Sequence, residues 1–198
     1  MKITESDYKR VAAWLEMETA VVKAVAEVES GGRGGFLSDG RPVILFEGHI
    51  FWQQLKQRGI NPQAYTAGNE SVLYPSWTRL HYRGGTAEYG RLEQAMRIHE
   101  EAALASASWG MFQIMGFNAR LCGYTSVRDF REALSRSEAV QLEAFARFIF
   151  SRRLAPCLRA HDWTAFARAY NGPAYACNHY DTRLAAAYQK HRERSQYY

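Results

Sequence analysis

The 198-residue sequence has no run of 18 or more apolar residues, which excludes a membrane-spanning helix of ordinary length. The first ten residues, MKITESDYKR, carry acidic side chains where a signal peptide needs an apolar segment. We therefore expect the protein to be made and kept in the cytoplasm. Only three cysteines are present, Cys122, Cys157 and Cys177, without a CxxC pair. This predicts free thiols, and neither a disulfide framework nor a metal site.

Several catalytic signatures are also missing. The sequence contains no GxxxxGK(S/T), no GxGxxG after a strand and no HExxH, which excludes phosphate-loop NTPases, dinucleotide enzymes and zinc peptidases. No cofactor is predicted. A nucleophilic pair such as Cys177 with His179 remains an alternative, because such pairs meet in space rather than in sequence.

The charge is modestly basic, with a net value of +5 and a pI near 9.2. The basic residues are scattered, apart from KHRER near the C-terminus. This distribution argues against a dedicated nucleic-acid groove but suits other polyanions, including anionic lipid and an acidic cell-wall polymer.

The composition favours one globular, mainly helical domain. Hydrophobic residues make up 47% of the chain, which is enough for a substantial core. Apolar periodicity and capping residues predict about eight helices, and glycine-rich residues 31–46 predict one small β-hairpin. The expected caps include capping boxes of Thr4 with Asp7 and of Ser135 with Glu138, and an N-cap at Asp162. The expected fold class is α+β, predominantly α, in a single monomeric domain over residues 1–198.

One predicted helix, Thr19 to Ser30, places a carboxyl group on its apolar face. At 100° per residue, Glu29 falls beside Val22 and Val25, whereas Glu27 points away. A carboxyl group on an apolar face is costly to ionise, and its pKa should rise towards the range of a general acid. The alternative is that Glu29 belongs to a frayed helix end.

A second carboxyl group follows the strand predicted at Arg41 to Phe46. Glu47 leaves this strand, so it can face Glu29 across one cleft; a salt bridge to an arginine is the alternative. Asp39 is a weaker candidate, because Asp before Gly in a hairpin is usually a turn residue. Irregular residues 59–85 and the glycine-flanked segment near Trp109 carry aromatic rings suited to stacking on sugars. For Phe112 we expect a core position instead.

Three motifs carry a family resemblance. Glu29-Ser30-Gly31-Gly32, SWGMFQI at 108–114 and AYNGP at 169–173 are similar, in order and spacing, to the ES, GLMQ and AYN motifs of goose-type lysozymes and soluble lytic transglycosylases. More closely, VAEVESGG, DGRPVILFEGHIF and SEAVQLEAFARFI resemble the N-acetylmuramidase domain of endolysins from phages of Gram-negative bacteria. The resemblance covers essentially the whole chain, so we expect no separate wall-binding domain.

The resemblance implies a lysozyme-like fold and cleavage of the β-1,4 bond between N-acetylmuramic acid and N-acetylglucosamine in peptidoglycan. Glu29 matches the catalytic acid of this family, and Glu47 matches the carboxylate of its FExH segment. The implied substrate-binding residues are Ser30, His49, Trp109, Gln113, Tyr170 and Asn171. Packed positions for His49 and Trp109 are the alternative.

The resemblance leaves two rival activities and one open partner. A lytic transglycosylase would form 1,6-anhydro products without water, and a non-catalytic module would bind peptidoglycan without cleaving it. The basic segment QKHRERSQYY at the C-terminus predicts a weak contact with anionic lipid or lipopolysaccharide; a frayed helix end is its alternative. As an endolysin, the protein would need a separate membrane-permeabilising protein to leave the host cytoplasm.

Overall fold

A computed structural model describes residues 2–171 and 179–195 of the chain. Within these residues nine α-helices surround a three-stranded antiparallel sheet, so the predicted class, α+β with helices dominant, is confirmed. The helices are α1 Glu5–Leu15, α2 Thr19–Ser30, α3 Gly48–Gln57, α4 Ala87–Ala105, α5 Val127–Leu134, α6 Glu138–Ser151, α7 Ala155–Arg159, α8 Trp163–Asn171 and α9 Tyr180–Ser195; the strands are β1 Ile44–Phe46, β2 Ala107–Trp109 and β3 Ile114–Met115.

The sheet differs from the predicted hairpin. In the expected place, around residues 36–42, only an isolated bridge between Phe36 and Pro42 forms. The regular hairpin is instead made by β2 and β3, where Trp109 pairs with Ile114. β1 joins its edge, with Ile44 opposite Trp109. These strands have two or three residues each, which is too short for a period-2 pattern to appear in the sequence.

Helix α2 lies in the middle of the core. Its valines at 21, 22, 25 and 28 are buried, as the apolar periodicity predicts, and each contributes about 1.5–3 kcal/mol of burial free energy. α2 packs against α1 and along α9. The last helix of the described chain therefore covers the helix that carries Glu29.

Helix caps confirm some expectations and correct others. Thr4 and Asp7 form the predicted capping box of α1, and Asp162 caps α8 through the Ala165 N–H. The capping box predicted from Ser135 and Glu138 is wrong: Ser137 caps α6, and its hydroxyl accepts a hydrogen bond from Val140 N. The Glu138 carboxylate is thereby available for a long-range contact.

Helix α4 is interrupted at His99, where φ is −160° and ψ is 105°. His99 Nδ1 accepts a hydrogen bond from the Ala102 N–H at 3.2 Å, which satisfies one donor of the turn that follows.

Cys122 is a buried free thiol, and burial raises its pKa to about 12. Cys157 is free as well, and Cys177 lies outside the described residues. Among residues 2–171 and 179–195, no helix has both the length and the apolar composition needed to cross a bilayer.

Candidate active site

Glu29 lies in the last turn of α2, and that turn is well ordered. Gly31 adopts a left-handed conformation at φ 59°, and its N–H donates to Val28 O while Gly32 N donates to Glu27 O. These two hydrogen bonds form a Schellman motif, which needs glycine at the left-handed position. Ser30 Oγ accepts a further hydrogen bond from Gly32 N at 3.2 Å. The helix end is capped, not frayed, and the half-buried Glu29 side chain is held on it.

Tyr170 lies beside Glu29 on a cluster of aromatic rings. Its ring centroid is 5.7 Å from that of Phe145, 6.0 Å from that of Phe148 and 5.5 Å from that of Phe166. Burial raises the pKa of Tyr170 well above its usual value, and the nearby negative charge of Glu29 raises it further. The rings around Tyr170 make this corner of the site largely apolar.

Asn171 is the last residue of α8, and its side chain, which is predicted to bind substrate, lies outside the described part of the chain. The glycine and proline that complete the AYNGP motif, residues 172–173, also lie outside it. The position of Asn171 in the cleft stays a prediction.

Glu47 follows β1 directly and begins the turn into α3. Its backbone N–H donates to Ser106 O at 3.0 Å, which continues the β1–β2 pairing by one residue. The carboxylate accepts a 2.6 Å hydrogen bond from the Tyr82 hydroxyl. Nδ1 of His49 lies 3.3 Å from the same oxygen, without meeting hydrogen-bond geometry. In the described residues the basic side chain next to Glu47 is thus His49, and no arginine forms a salt bridge with this carboxylate.

The turn residue Asp39 has a different environment. Its carboxylate accepts the Arg41 N–H at 3.1 Å and pairs with the Arg41 guanidinium at 2.7 Å. The side-chain hydrogen bond to Arg41 lowers the pKa of Asp39. These are the contacts of a turn residue, as the sequence indicates.

A buried ion pair that we did not predict supports the Glu47 side of the cleft. Glu88 and Arg91 lie one turn apart in α4, and their side chains are 0% and 3% exposed. The Glu88 carboxylate accepts hydrogen bonds from the backbone N–H groups of Phe46, Arg83 and Gly84. It therefore joins the end of β1 to the loop that carries Tyr82.

Arg91 completes this connection. Its guanidinium donates to Phe46 O at 2.8 Å, to Ser71 O at 3.0 Å and to the Tyr74 hydroxyl at 3.3 Å. Tyr74 Oη in turn accepts the Gly48 N–H at the start of α3. The irregular segment 66–85 is thereby fixed against the residues on either side of Glu47.

Gln113 holds the tight turn between β2 and β3. Its backbone has φ 48°, a left-handed conformation that costs a non-glycine residue about 1 kcal/mol. The side chain accepts a hydrogen bond from Ser108 Oγ at 2.8 Å and donates to Gly110 O at 2.8 Å and to Val43 O at 3.3 Å. Strained residues held this firmly are typical of functional sites.

Trp109 does not line the cleft. The ring is 1% exposed, and its N–H donates to Leu104 O at 3.1 Å. The predicted stacking of Trp109 on sugar is therefore wrong: the ring packs under the hairpin, and no face is open. Phe112 is buried as expected and stacks on Phe145 with centroids 4.3 Å apart.

Two residues of α6 join the loops of the cleft. The Glu138 carboxylate accepts the Gly35 N–H at 2.8 Å. Buried Gln141 accepts the Met111 N–H at 2.8 Å and donates to Gly35 O at 3.3 Å. Because Gly35 follows the acid-bearing helix and Met111 lies in the hairpin turn, α6 sets the spacing between them.

The backbone completes the same connection. Val43 donates its N–H to Gly35 O at 3.0 Å and accepts the Gly110 N–H at 2.7 Å. The loop after Glu29, the strand before Glu47 and the hairpin of Gln113 are thus linked by hydrogen bonds. Glu29 acts electrostatically on Tyr170, and Glu47 accepts a hydrogen bond from the Tyr82 hydroxyl.

Comparison with known proteins supports this interpretation. Residues 18–192 match the N-acetylmuramidase family. The chain belongs to the N-acetylmuramidase family. The resemblance inferred from the motifs is thereby confirmed, and this muramidase is a peptidoglycan-degrading protein.

A solved structure shows the same fold. The crystal structure of the Burkholderia AP3 phage endolysin matches this muramidase with a TM-score of 0.90 and 43% sequence identity, over 97% of this chain and 72% of that chain. A comparison with curated protein sequences yields no match. The lysozyme-like fold class predicted from the sequence is confirmed.

Sequence reasoning missed four residues that fix the loops around Glu47 and Gln113: Glu88, Arg91, Glu138 and Gln141. Tyr82 lies in the irregular segment where sugar-stacking rings are expected, and its hydroxyl donates to Glu47. One local signal was available, since Glu88 and Arg91 have the i, i+3 spacing of a helix ion pair. Their main partners are 20 to 106 residues distant, as in Arg91–Ser71 and Gln141–Gly35, and no local pattern encodes such contacts.

Proposed function

We propose that the muramidase hydrolyses the β-1,4 bond between N-acetylmuramic acid and N-acetylglucosamine, with Glu29 as the general acid. The supporting observation is the position of Glu29, on a capped helix end beside the aromatic cluster around Tyr170. A carboxyl group in such surroundings keeps its proton near neutral pH and can donate it to the glycosidic oxygen as the bond breaks.

Glu47 is the second carboxylate in this proposal. It orients the attacking water, or stabilises the positive charge that develops on the sugar ring. The hydrogen bond from Tyr82 keeps a carboxylate oxygen in place while the other oxygen stays available. A second carboxylate favours hydrolysis over the transglycosylase reaction, which needs only one acid/base group.

Substrate contacts in this proposal come from Ser30, His49, Gln113, Tyr170 and Asn171. Ser30 and Gln113 belong to the two linked loops of the cleft, and Tyr170 lies beside the acid. Trp109 is not among these contacts, because its ring is buried in the core.

The Glu29→Gln variant tests the acid. It keeps the shape of the side chain but cannot donate the proton, so muropeptide release from purified sacculi should fall by about 100-fold or more. Glu93→Gln, at an exposed position of α4, is the matched control and should keep the wild-type rate. A folded Glu29→Gln protein that retains the wild-type rate would remove Glu29 from the mechanism.

Mass spectrometry of the released muropeptides tests the reaction class. Hydrolysis leaves a reducing-end muramic acid, whereas a transglycosylase leaves a 1,6-anhydro product that is lighter by one water. Only reducing ends are expected. Release of anhydro products would replace hydrolysis by the transglycosylase reaction, and binding to sacculi without release would indicate a non-catalytic module.

We also propose a role for this chain as a phage endolysin that a separate membrane-permeabilising protein releases from the host cytoplasm. The similarity to the AP3 phage endolysin supports it. Expression of the chain in a Gram-negative host should leave the cells intact until a permeabilising protein is co-expressed. Lysis without that second protein would contradict this route of release.

The basic outer face of α9 is proposed to contact anionic lipid or lipopolysaccharide weakly. Arg192 and Lys9 line a surface cavity of about 740 Å³ on this side of the molecule. Helix α9 is regular through Ser195, which argues against a frayed end for that part of the tail. Binding to vesicles with anionic lipid should be lost in Arg192→Gln and in high salt; unchanged binding would contradict the contact.

A further inference from the structure

A basic cavity of about 450 Å³ adjoins the end of the helix that carries Glu29. Its walls come from the N-terminal segment, α1, one face of α2, the glycine-rich loop after it, the hairpin turn at Met111, the start of α6 and the end of α9. A second cavity of about 1120 Å³ lies between α3 and α5. Neither Glu29 nor Glu47 lines either cavity, but the smaller one includes Ser30, the neighbour of Glu29.

The acidic groups around the smaller cavity are already engaged. Glu27 pairs with Lys190 at 2.8 Å, and its carboxylate is also 2.8 Å from Nε2 of His191. Glu138 accepts the Gly35 N–H, as described above. Lys190, which does not line the cavity, offsets the charge of Glu27, so Glu138 is the one carboxylate of the wall without a paired cation in the described residues.

Three cations of the cavity keep their charge available. Lys2, Arg33 and Arg194 line it, are exposed, and form no salt bridge within residues 2–171 and 179–195. The remaining segments, residues 172–178 and 196–198, contain no Asp or Glu side chain. Lys23 of α2 also lines the cavity, but it pairs with Glu5 at 2.6 Å. The cavity therefore presents a net positive surface.

This surface is next to the proposed acid. Ser30, the residue that directly follows Glu29 in the last turn of α2, lines the cavity together with Gly32 of the capped helix end. Ser30 and Met111 belong to both the cavity wall and the cleft loops. A glycan bound with its scissile bond at Glu29 therefore has substituents within reach of the cavity.

Muramic acid residues of peptidoglycan carry such substituents. A short peptide is attached through the lactyl group, and it bears several carboxylates at neutral pH. We propose that the cavity of Lys2, Arg33 and Arg194 binds carboxylates of this stem peptide next to the bond that is cut. The inference rests on the proposed function, because it requires the glycan to lie against Glu29.

If the cavity binds the stem peptide, the effect of a cavity variant on the cleavage rate depends on whether the glycan carries that peptide. Exposed cation–carboxylate contacts are individually weak, and for two of them together we expect about a 10-fold effect, which corresponds to about 1.4 kcal/mol. The double variant Arg33→Gln/Arg194→Gln should lower kcat/KM by about 10-fold on peptide-bearing glycan. Its kcat/KM on glycan from which an amidase has removed the peptides should equal that of the wild type.

The control is the double variant Lys56→Gln/Arg97→Gln, which removes the same charge from exposed positions outside the cavity. It should match the wild type on both substrates. Circular dichroism and urea unfolding verify that all variants are folded.

The outcomes separate the two proposals. A wild type that cleaves neither substrate overturns the proposed function. A wild type that cleaves both, with a cavity variant equal to it on peptide-bearing glycan or equally impaired on both substrates, overturns the stem-peptide site alone. A cavity variant that loses only its binding to anionic vesicles, with unchanged cleavage of both substrates, would likewise overturn the stem-peptide site.

Discussion

The Tyr82 hydroxyl donates a 2.6 Å hydrogen bond to Glu47 across 35 residues of sequence. Burial raises the pKa of Tyr82 above its usual value, and the Glu47 carboxylate raises it further, so the phenol remains a donor over the whole range in which proteins are stable. The loop that carries Tyr82 is itself fixed by the buried pair of Glu88 and Arg91. The carboxylate proposed as the second catalytic group, Glu47, is thus oriented by residues outside the family motifs.

Tyr82→Phe removes only the hydroxyl group. A hydrogen bond to a charged group contributes about 1.5–3 kcal/mol, so we expect kcat to fall by about 10-fold or more while KM changes little. Tyr65→Phe is the control, since that ring is 43% exposed. Initial rates of muropeptide release measure both constants. An unaltered kcat in Tyr82→Phe would show that Glu47 needs no orientation by this hydroxyl.

Glu88→Gln tests the buried ion pair. The substitution leaves the Arg91 charge buried without its counter-ion, and the free energy of unfolding in urea at pH 7 should fall by about 3 kcal/mol. Glu100→Gln removes an ion pair with Arg128 on the surface and should cost less than about 1 kcal/mol. Similar losses in the two variants would mean that the Glu88 contacts are no more important than surface ones.

The same pair predicts a pH dependence of stability. Burial acts to raise the pKa of Glu88, but backbone N–H donors and the Arg91 charge outweigh it, and the pKa is lowered from 4.5. A carboxyl group with a lowered folded-state pKa stabilises the fold above its unfolded pKa, and that contribution is lost as pH falls through the folded value. The stability gap between wild type and Glu88→Gln should therefore be full at pH 7 and narrow below about pH 4. A gap of constant size across this range would contradict the assignment.

Two Gly→Ala substitutions test the link made by α6. A Cβ at Gly35 would lie 2.0 Å from Gln141 Oε1 and 2.8 Å from its Cδ, so Gln141 must give up its contact with Met111. We expect a loss of about 2 kcal/mol and reduced activity. In α4 a Cβ at Gly90 meets nothing within 4 Å, and Gly90→Ala should stabilise the fold by about 0.5–1 kcal/mol. In thermal unfolding, the Tm should fall in Gly35→Ala and rise in Gly90→Ala.

Substitutions of buried Trp109 and exposed Trp77 test whether Trp109 is a core residue rather than a sugar contact. Trp109→Phe should lower stability by about 2 kcal/mol, because Leu104 O loses its donor and a small cavity forms, and KM should not change. Trp77 is 59% exposed near Tyr82, and Trp77→Ala should raise KM by about 10-fold without loss of stability. A raised KM in Trp109→Phe with normal stability would restore Trp109 to the sugar-binding set.

The sequence predicts those parts of the site that depend on local patterns. The helix of Glu29 ends at Gly31 as expected, because the apolar period and the glycine signal both lie within a few residues. The hairpin of β2 and β3 has no such pattern, since its strands are shorter than one repeat of any reliable signal. Trp109 was misplaced because an aromatic residue in a glycine-flanked turn is equally typical of a rim and of a core.

The residues that orient the carboxylates are harder to predict. Glu88 and Gln141 act through backbone groups of distant loops, and their side-chain types are ordinary on any helix. The wrong capping box at Ser135 had the same origin. The acid at Glu138 satisfies Gly35, 103 residues earlier in the chain, rather than its own helix.

Helix α9 packs along α2. Its Lys190 and His191 contact the carboxylate of Glu27, two residues before the proposed acid. During translation α2 leaves the ribosome more than 150 residues before these partners do. A nascent chain therefore carries Glu29 on a helix that α9 cannot cover until residues 180–195 have emerged. Transiently exposed apolar surface makes an incomplete chain prone to aggregation, and synthesis of the last described helix ends that exposure for α2.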